Sequence, residues 1–494
     1  MSLATEIRQR NTVLRHTKII ATLGPATDSE KILSELMDAG VDLVRINFSH
    51  GTYEEHAWRI KTLRKLSKEK NYEVGVLGDL QGAKIRVGVF KNKSIELNVG
   101  EKFCIDINHP IEEGDQYKVG TMYKGLIDDV ASGDTLLIDD GRIVLKVLDI
   151  VDSKINCEVV MGGQLSSNKG INLQGGGISA PALTDKDRED IKHAIELDVD
   201  YLAISFARSA EDINVAKNLF IDGGGNAGII AKVERVEALE AIDEILDACD
   251  AIMIGRGDLG VEIGDAEVPG VQKSLIDLAH DKNRIAITAT QMMESMIHSP
   301  IPTRAEVSDV ANAVLDGTDA VMLSGETAAG SYPVKAVKAM HRTCLASERH
   351  ALKEVSVRRK RKSAKCERVD EAIAMSAMYT ANNLDVHAIA ALTESGSTAL
   401  WMSRVNSAIP IYALTRHEKT LRLVTLYKGV YPARFDSLSR THAEVNKEAI
   451  DVLLECAAVQ ENDLVIITKG DLMGVDGGTS ALKILRVGHL IDPQ

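Results

Sequence analysis

The chain has 494 residues, which at roughly 100–200 residues per domain calls for about two to four domains and excludes a single small stapled module. Hydrophobic residues make up 45% and charged residues 26%, a globular balance that excludes an intrinsically disordered chain. With 58 basic against 72 acidic side chains the net charge is −14, which argues against a general affinity for nucleic acid or an anionic membrane.

The six cysteines, Cys104, Cys157, Cys249, Cys344, Cys366 and Cys456, form no C-x-x-C pair or zinc spacing, as in a reducing cytosol. Met1 to Lys18 has no apolar signal region, and no stretch approaches the roughly 18 apolar residues of a membrane helix. The expected location is therefore cytoplasmic.

Eight short apolar stretches, each ending in polar or glycine residues and followed by a helix-length segment, punctuate the first two-thirds of the chain: Ile19–Gly24, Val41–Ser49, Val74–Gly82, Val199–Ala207, Ala227–Glu234, Cys249–Gly257, Arg284–Gln291 and Thr318–Gly325. Eight parallel βα units close into a (β/α)8 barrel with its chemistry at the C-terminal strand ends. The barrel is expected over 1–82 and 181–350. Between them, 83–180 carries Gly-Asp and Asp-Gly turns (Gly114-Asp115, Gly133-Asp134, Asp140-Gly141) and alternating stretches such as Asp134–Ile138 and Ile143–Val151. It reads as an inserted β-barrel lid over the catalytic face. The basic group Arg358–Lys362 reads as a solvated linker or helix face. From 351 to 494, strands at Ala388–Thr393, Ile409–Leu414, Val430–Phe435, Leu464–Thr468 and Ala481–Val487 alternate with helices, giving a C-terminal α/β domain.

Residues i, i+2 and i+4 of a strand share a face, so Arg45, Asn47 and Ser49 meet at the end of the second strand, suited to a phosphate or a metal-bound anion. A structural pair between Arg45 and a neighbouring carboxylate is the alternative. Lys232 and Glu234 end the fifth strand, and Asp258 follows the sixth; Glu234 and Asp258 together suit a magnesium ion that keeps substrate oxygens as further ligands. A structural Lys–Glu pair is again the alternative. Backbone amides of Gly257 and Asp258 can approach a carboxylate because glycine leaves space. Thr290 can relay or orient a proton, or simply cap a helix. Met292, Met293 and Met296 read as core. Asp79 faces inward, with Lys84 and Arg86 beyond it at the mouth of the insertion, an arrangement able to clamp a polyphosphate; Lys169 returns from the insertion as a further cation or an exposed turn lysine. Thr393, Ser395, Gly396, Ser397 and Thr398 open a helix after a strand, an anion cradle or a plain N-cap. The glycine-rich segment Gly470 to Thr479 could close over the same pocket.

The segments Arg45–Gly51, Gly78–Gly82, Lys232–Glu234, Gly255–Gly260, Ile287–Ser295 and Thr303–Asn312 resemble those of the pyruvate kinase family, in order and spacing, from about Arg15 to the end. They are most similar to a bacterial form that responds to nucleoside or sugar monophosphates. The resemblance implies glycolytic transfer of phosphoryl from phosphoenolpyruvate to ADP, giving pyruvate and ATP. It implies that Lys232 stabilises the phosphoryl group and the enolate oxygen, and that Glu234 and Asp258 hold Mg2+, with Mn2+ as a substitute. It further implies that Gly257, Asp258 and Thr290 bind the substrate carboxylate and Arg45 the phosphoryl group. Asn47, His50, Arg86 and Lys169 match nucleotide-side positions, and Thr393–Thr398 the loop for a phosphorylated effector. Asn47, Ser49, Asp79 and Leu80 match the potassium positions, but Leu80 replaces a threonine and Lys84 a glutamate, so K+ is not expected to be required. Ala83 stands for a hinge proline, and Gly255 for a frequent alanine, a difference expected to matter little. A homotetramer with Arg304 and the following helix at a subunit contact is implied as well. The competing readings are another magnesium-dependent enolate enzyme, such as an aldolase or lyase, and a non-catalytic effector-binding protein.

Overall fold

The computed structural model describes residues 14–354, 366, 368–436, 441–471 and 477–489. The basic group Arg358–Lys362 and much of the Gly470–Thr479 segment lie outside the described residues.

Eight parallel strands, Lys18–Thr22, Leu43–Asn47, Gly75–Asp79, Tyr201–Ile204, Gly228–Val233, Ala251–Gly255, Ile285–Ala289 and Ala320–Leu323, close into a barrel in chain order, the first pairing with the eighth. Their alternation sorts the side chains. Ile19, Val44, Val76, Ile229, Ile252 and Val321 face outward into the helix-covered layer, while Ile20, Leu43, Leu77, Ile230, Met253, Ile287 and Met322 fill the interior. Because a strand has period two, the register that buries Ile230 inside also carries Lys232 and Glu234 inward at the mouth, and that of Leu43 carries Arg45 and Asn47. Met292, Met293 and Met296 are fully buried in the outer layer.

Between the third and fourth strands the chain builds a six-stranded sheet, ordered Ile171–Leu173, Thr135–Ile138, Ile143–Val151, Lys154–Met161, Lys102–Asp106, Lys118–Val119, and a two-stranded sheet of Ser94–Leu97 with Gly163–Ser166. Isolated bridges Arg86 to Gly170, Val87 to Thr121 and Phe90 to Gly114 join the wrap, and one separate core of Phe90, Phe103, Ile105, Leu136, Leu145 and Val159 fills it.

The C-terminal portion is a five-stranded sheet ordered Val430–Arg434, Ile411–Thr415, Val386–Leu392, Leu464–Gly470, Thr479–Arg486, with the last strand antiparallel. It docks on the N-terminal end of the barrel, and its core is continuous with the barrel interior. Four aspartates mark that end at every second strand. Asp42, Asp200, Asp250 and Asp319 each precede a strand and accept from the amide of Ile19, Val76, Ile229 and Ala286, respectively, on the preceding strand, each at 2.8 Å. Three of them bind cations as well. Asp42 meets Arg15 at 2.8 Å; Asp200 meets Arg64 and Arg422, both at 2.8 Å; Asp319 meets Arg404, with both side chains buried. Arg404 and Arg422 come from the C-terminal portion, so the ion pairs seal the joint between the two.

Candidate active site

The barrel mouth gathers six charged side chains at or just beyond four strand ends. Arg45 donates from Nε to Asp79 Oδ2 at 2.6 Å and from Nη1 to Thr22 Oγ1 at 3.2 Å. Lys232 Nζ lies 3.4 Å from Asp79 Oδ1, 3.0 Å from Glu234 Oε1 and 2.7 Å from Ser205 Oγ. Asp258 Oδ1 pairs with Lys84 Nζ at 2.7 Å. Both structural pairings weighed from the sequence are thus formed, in the same cluster that carries the proposed chemistry.

The charges condition one another. Burial works to lift the Asp79 carboxyl, but Lys232 and Arg45 outweigh it and hold Asp79 below its ordinary value. Burial works to strip the Lys232 proton, and Asp79 and Glu234 outweigh it, so the ammonium is kept. Glu234 goes the other way: burial, with repulsion from Asp258 and Asp79, lifts it above the ordinary glutamate range despite Lys232. Two carboxylates close enough to repel, in a site rich in oxygen donors, fit a hard divalent cation that neutralises both. Among the described residues no group of three or more His, Cys, Asp or Glu gathers around a metal position, so any such ion takes its remaining ligands from outside the protein side chains of that kind.

The loop after the seventh strand is held in an unusual backbone shape. Thr290 has φ 64° and Gln291 φ 53°, a left-handed conformation that a β-branched residue adopts only when its surroundings impose it. Arg256 imposes it, donating to Ala289 O at 3.2 Å and Thr290 O at 2.7 Å while Asp309 anchors the guanidinium at 2.8 Å. Asp309 sits on the helix Arg304–Asp316, which starts in a capping box of Thr303 and Glu306. Glu306 in turn holds Ser295, and Glu326 holds Met293 N. Thr290 Oγ1 consequently accepts from Gly257 N at 3.0 Å and donates to Ala289 O at 2.7 Å. Thr290, Gly257 and Asp258 are therefore contiguous.

Two further positions bear on this geometry. A Cβ on Gly255 would stand 2.5 Å from Glu234 Cγ, so the glycine is what lets Glu234 fold back beside Lys232, and an alanine requires that side chain to move. Lys84, expected to stand in for a monovalent cation, spends its charge on Asp258, while Asp79 is met by Arg45 and Lys232.

The remaining residues fall into three groups. Asn47 Oδ1 accepts from Ser49 N at 3.1 Å, and His50 N donates to Asn47 O at 3.2 Å, so these three share one turn; Leu80 is buried. Arg86 donates to Asn168 O at 2.9 Å and Lys169 pairs with Asp139 at 2.7 Å, on adjacent edges of the insertion. Far away, Thr393 Oγ1 accepts from Gly396 N at 2.8 Å, Ser395 and Ser397 hydroxyls meet at 2.8 Å, and Thr398 meets Thr479 at 2.9 Å. Gly396, at φ 90° and with Val424 Cγ1 3.0 Å from where a Cβ would stand, turns the chain into the helix Ser397–Ser403. Sequence reasoning missed Arg256 and Ser205. Their signal was position alone, immediately after the sixth and fourth strands.

A barrel with fixed cations and paired carboxylates at its mouth defines an enzyme built for a metal-assisted reaction of an anionic substrate. The family model for the pyruvate kinase barrel domain matches residues 14–337, and that for the pyruvate kinase alpha/beta domain matches 371–485. The chain is 53% identical to pyruvate kinase II of Salmonella typhimurium over 96% of its length and 99% of the relative's. It is 52% identical to the Haemophilus influenzae pyruvate kinase, covering 92% and 96%, and 43% identical to that of Sporosarcina psychrophila, covering 97% and 81%. The chain belongs to the pyruvate kinase family, and its function is the glycolytic phosphoryl transfer of that family.

Proposed function

We propose that the cluster around Lys232 performs this transfer between phosphoenolpyruvate and ADP. The observation that carries the assignment is a buried ammonium kept charged by Asp79 and Glu234, beside Arg45 and next to two carboxylates that repel each other. Arg45 and Lys232 bind the transferred phosphoryl group from two sides, and Lys232 stays charged while negative charge builds on the oxygen left behind. The amides of Gly257 and Asp258, with Thr290 Oγ1, orient the substrate carboxylate. Glu234 and Asp258 hold Mg2+, or Mn2+ in its place, which when bound neutralises phosphate and carboxylate oxygens. Asn47, His50, Arg86 and Lys169 take the nucleotide, with 83–180 closing as a lid over a barrel of 1–82 and 181–350. Thr290 orients the proton path to the enolate carbon.

Lys84 makes K+ dispensable by supplying a fixed positive charge at the same mouth, although it does so at Asp258. Thr393–Thr398, in a unit of 351–494, takes the phosphate of an effector. The active form is a cytoplasmic homotetramer with Arg304 at a subunit contact. The test is pyruvate formation from phosphoenolpyruvate and ADP with Mg2+ in tetramethylammonium buffer, with and without K+. Equal rates support both the transfer and the Lys84 argument; a rate seen only with K+ removes the Lys84 argument; no rate, even with monophosphates added, removes the catalytic assignment. Lys232→Met should retain the fold and lose about 10²–10³ or more in kcat.

A further inference from the structure

We infer that Ser205 is a positioning residue for Lys232, and that the Ser205–Phe206 turn sets the geometry of the transfer site. This rests on the reading that Lys232 meets the transferred group.

The fourth strand, Tyr201–Ile204, pairs with the third on one side and the fifth on the other. The residue that follows it must therefore emerge between Asp79 and the Lys232–Glu234 pair. Ser205 is fully buried there. Its hydroxyl has one proton and two acceptor sites. Since the ammonium can only donate, Ser205 Oγ accepts from Lys232 Nζ at 2.7 Å and sends its own proton to Leu80 O at 2.7 Å, with Asp79 Oδ1 a longer 3.3 Å away. The hydrogen-bond chain thus runs one way, and the Leu80 carbonyl fixes which lone pair faces Lys232.

Among the three acceptors of this ammonium, the hydroxyl is the nearest, ahead of Glu234 at 3.0 Å and Asp79 at 3.4 Å. Arriving anionic substrate competes with the two carboxylates for the ammonium, because all three are negative. The neutral hydroxyl is not repelled by that substrate, so Ser205 is the pivot that remains while the other bonds are exchanged. A serine buried only to satisfy itself needs one partner, and Leu80 O already provides it.

Phe206 completes the device. Its backbone is left-handed, φ 55°, an uncommon state for a bulky residue, and in that state its amide reaches Glu234 Oε2 at 3.1 Å. Its ring lies 6.0 Å from Lys84 Nζ. One two-residue turn therefore holds the Lys232 ammonium by a side chain and the Glu234 carboxylate by a backbone amide. A Cβ on Gly82 would stand 2.9 Å from Ser205 Cβ and 3.0 Å from the Phe206 ring, so the entry into the insertion packs directly on the turn.

The test compares Ser205→Ala, Ser205→Cys and Ser205→Thr for kcat, KM and thermal midpoint. Ala and Cys should lower kcat by about tenfold to a hundredfold, the scale of a small misplacement of a reacting group, while KM for phosphoenolpyruvate stays within about threefold, because the lost contact acts on the transition state. Thr keeps the hydroxyl and should return kcat to within about threefold of the parent. Adding Ser205→Ala to Lys232→Met, followed in single turnover, should cost nothing further, since the serine acts through the lysine. A Cys variant as fast as the parent, losses that add in the double variant, or a lowered thermal midpoint with kcat unchanged would overturn the inference. Undiminished turnover in Lys232→Met alone would instead remove the reading of Lys232 itself.

Discussion

Arg404→Met isolates the energetics of the joint between the barrel and the C-terminal portion. Arg404 donates to both oxygens of Asp319, at 2.9 Å to Oδ2, and to Arg284 O at 2.7 Å. With the two side chains 1% and 0% exposed, no solvent replaces the lost partner. Removing one member of such a pair leaves a buried uncompensated charge and costs about 3–5 kcal/mol. The pH dependence has a definite sign. In the parent, burial works to lift the Asp319 carboxyl, but Arg404 and His280 outweigh it and hold it far below the ordinary value; its stabilisation is therefore full above the unfolded value near 3.9 and is lost as pH falls toward the depressed one. Without Arg404 the burial effect is opposed only by His280 and the Ala286 amide, and the folded carboxyl is expected to rise above its unfolded value. The penalty is then largest at neutral pH and shrinks as pH falls through the raised value. Urea unfolding of a Trp58→Phe background, in which Trp401, three residues from Arg404, is the sole tryptophan, followed by fluorescence at pH 7 and about pH 4.5 reads both effects. The expected result is a deficit of about 3–5 kcal/mol at pH 7, narrowing on acidification, with Asp319→Asn restoring much of it in the double variant. A deficit under about 1 kcal/mol at pH 7, the scale of a surface pair, or one that widens on acidification, would refute the argument.

Other consequences can be checked directly. Lys84→Glu should convert a K+-indifferent rate in tetramethylammonium buffer into a K+-dependent one, because it removes the fixed charge and adds an anion beside Asp258. Arg256→Leu should release the left-handed Thr290 turn and lower kcat/KM for phosphoenolpyruvate by about a hundredfold; steady-state kinetics with unchanged kcat/KM would show that the turn holds itself. Gly396→Ala places a side chain at φ 90° and within 3.0 Å of Val424 Cγ1, so the monophosphate concentration for half activation should rise at least tenfold in an activation titration, by about 1.4 kcal/mol.

The barrel is legible in the sequence because its signal is repeated: eight apolar stretches with polar ends leave few alternatives, and period-two alternation places Arg45, Asp79, Lys232 and Glu234 inward. Arg256 and Ser205 were not readable in the same way. Arg256 acts on backbone carbonyls some 33 positions later in the chain, and Ser205 serves a lysine on the neighbouring strand; neither long-range partner leaves a local pattern. Lys84 shows the remaining limit. Its charge was evident from sequence, but which carboxylate it meets depends on how the insertion leaves the barrel. Gly255 has a related limit, since the space it leaves is filled by Glu234 from the adjacent strand.

The aspartates at every second strand have a consequence for how the two halves of the chain find each other. A repeated ring of similar carboxylates offers several rotational settings that a partner unit could accept. The cations break that equivalence: Asp200 takes Arg422, Asp319 takes Arg404, Asp42 is met by Arg15 from its own end of the chain, and Asp250 lies near the phenols of Tyr201 and Tyr427. The base of the barrel thus works as an indexed coupling with a single keyed angle. Exchanging the C-terminal unit between relatives should succeed only when the incoming unit carries cations at the positions of Arg404 and Arg422.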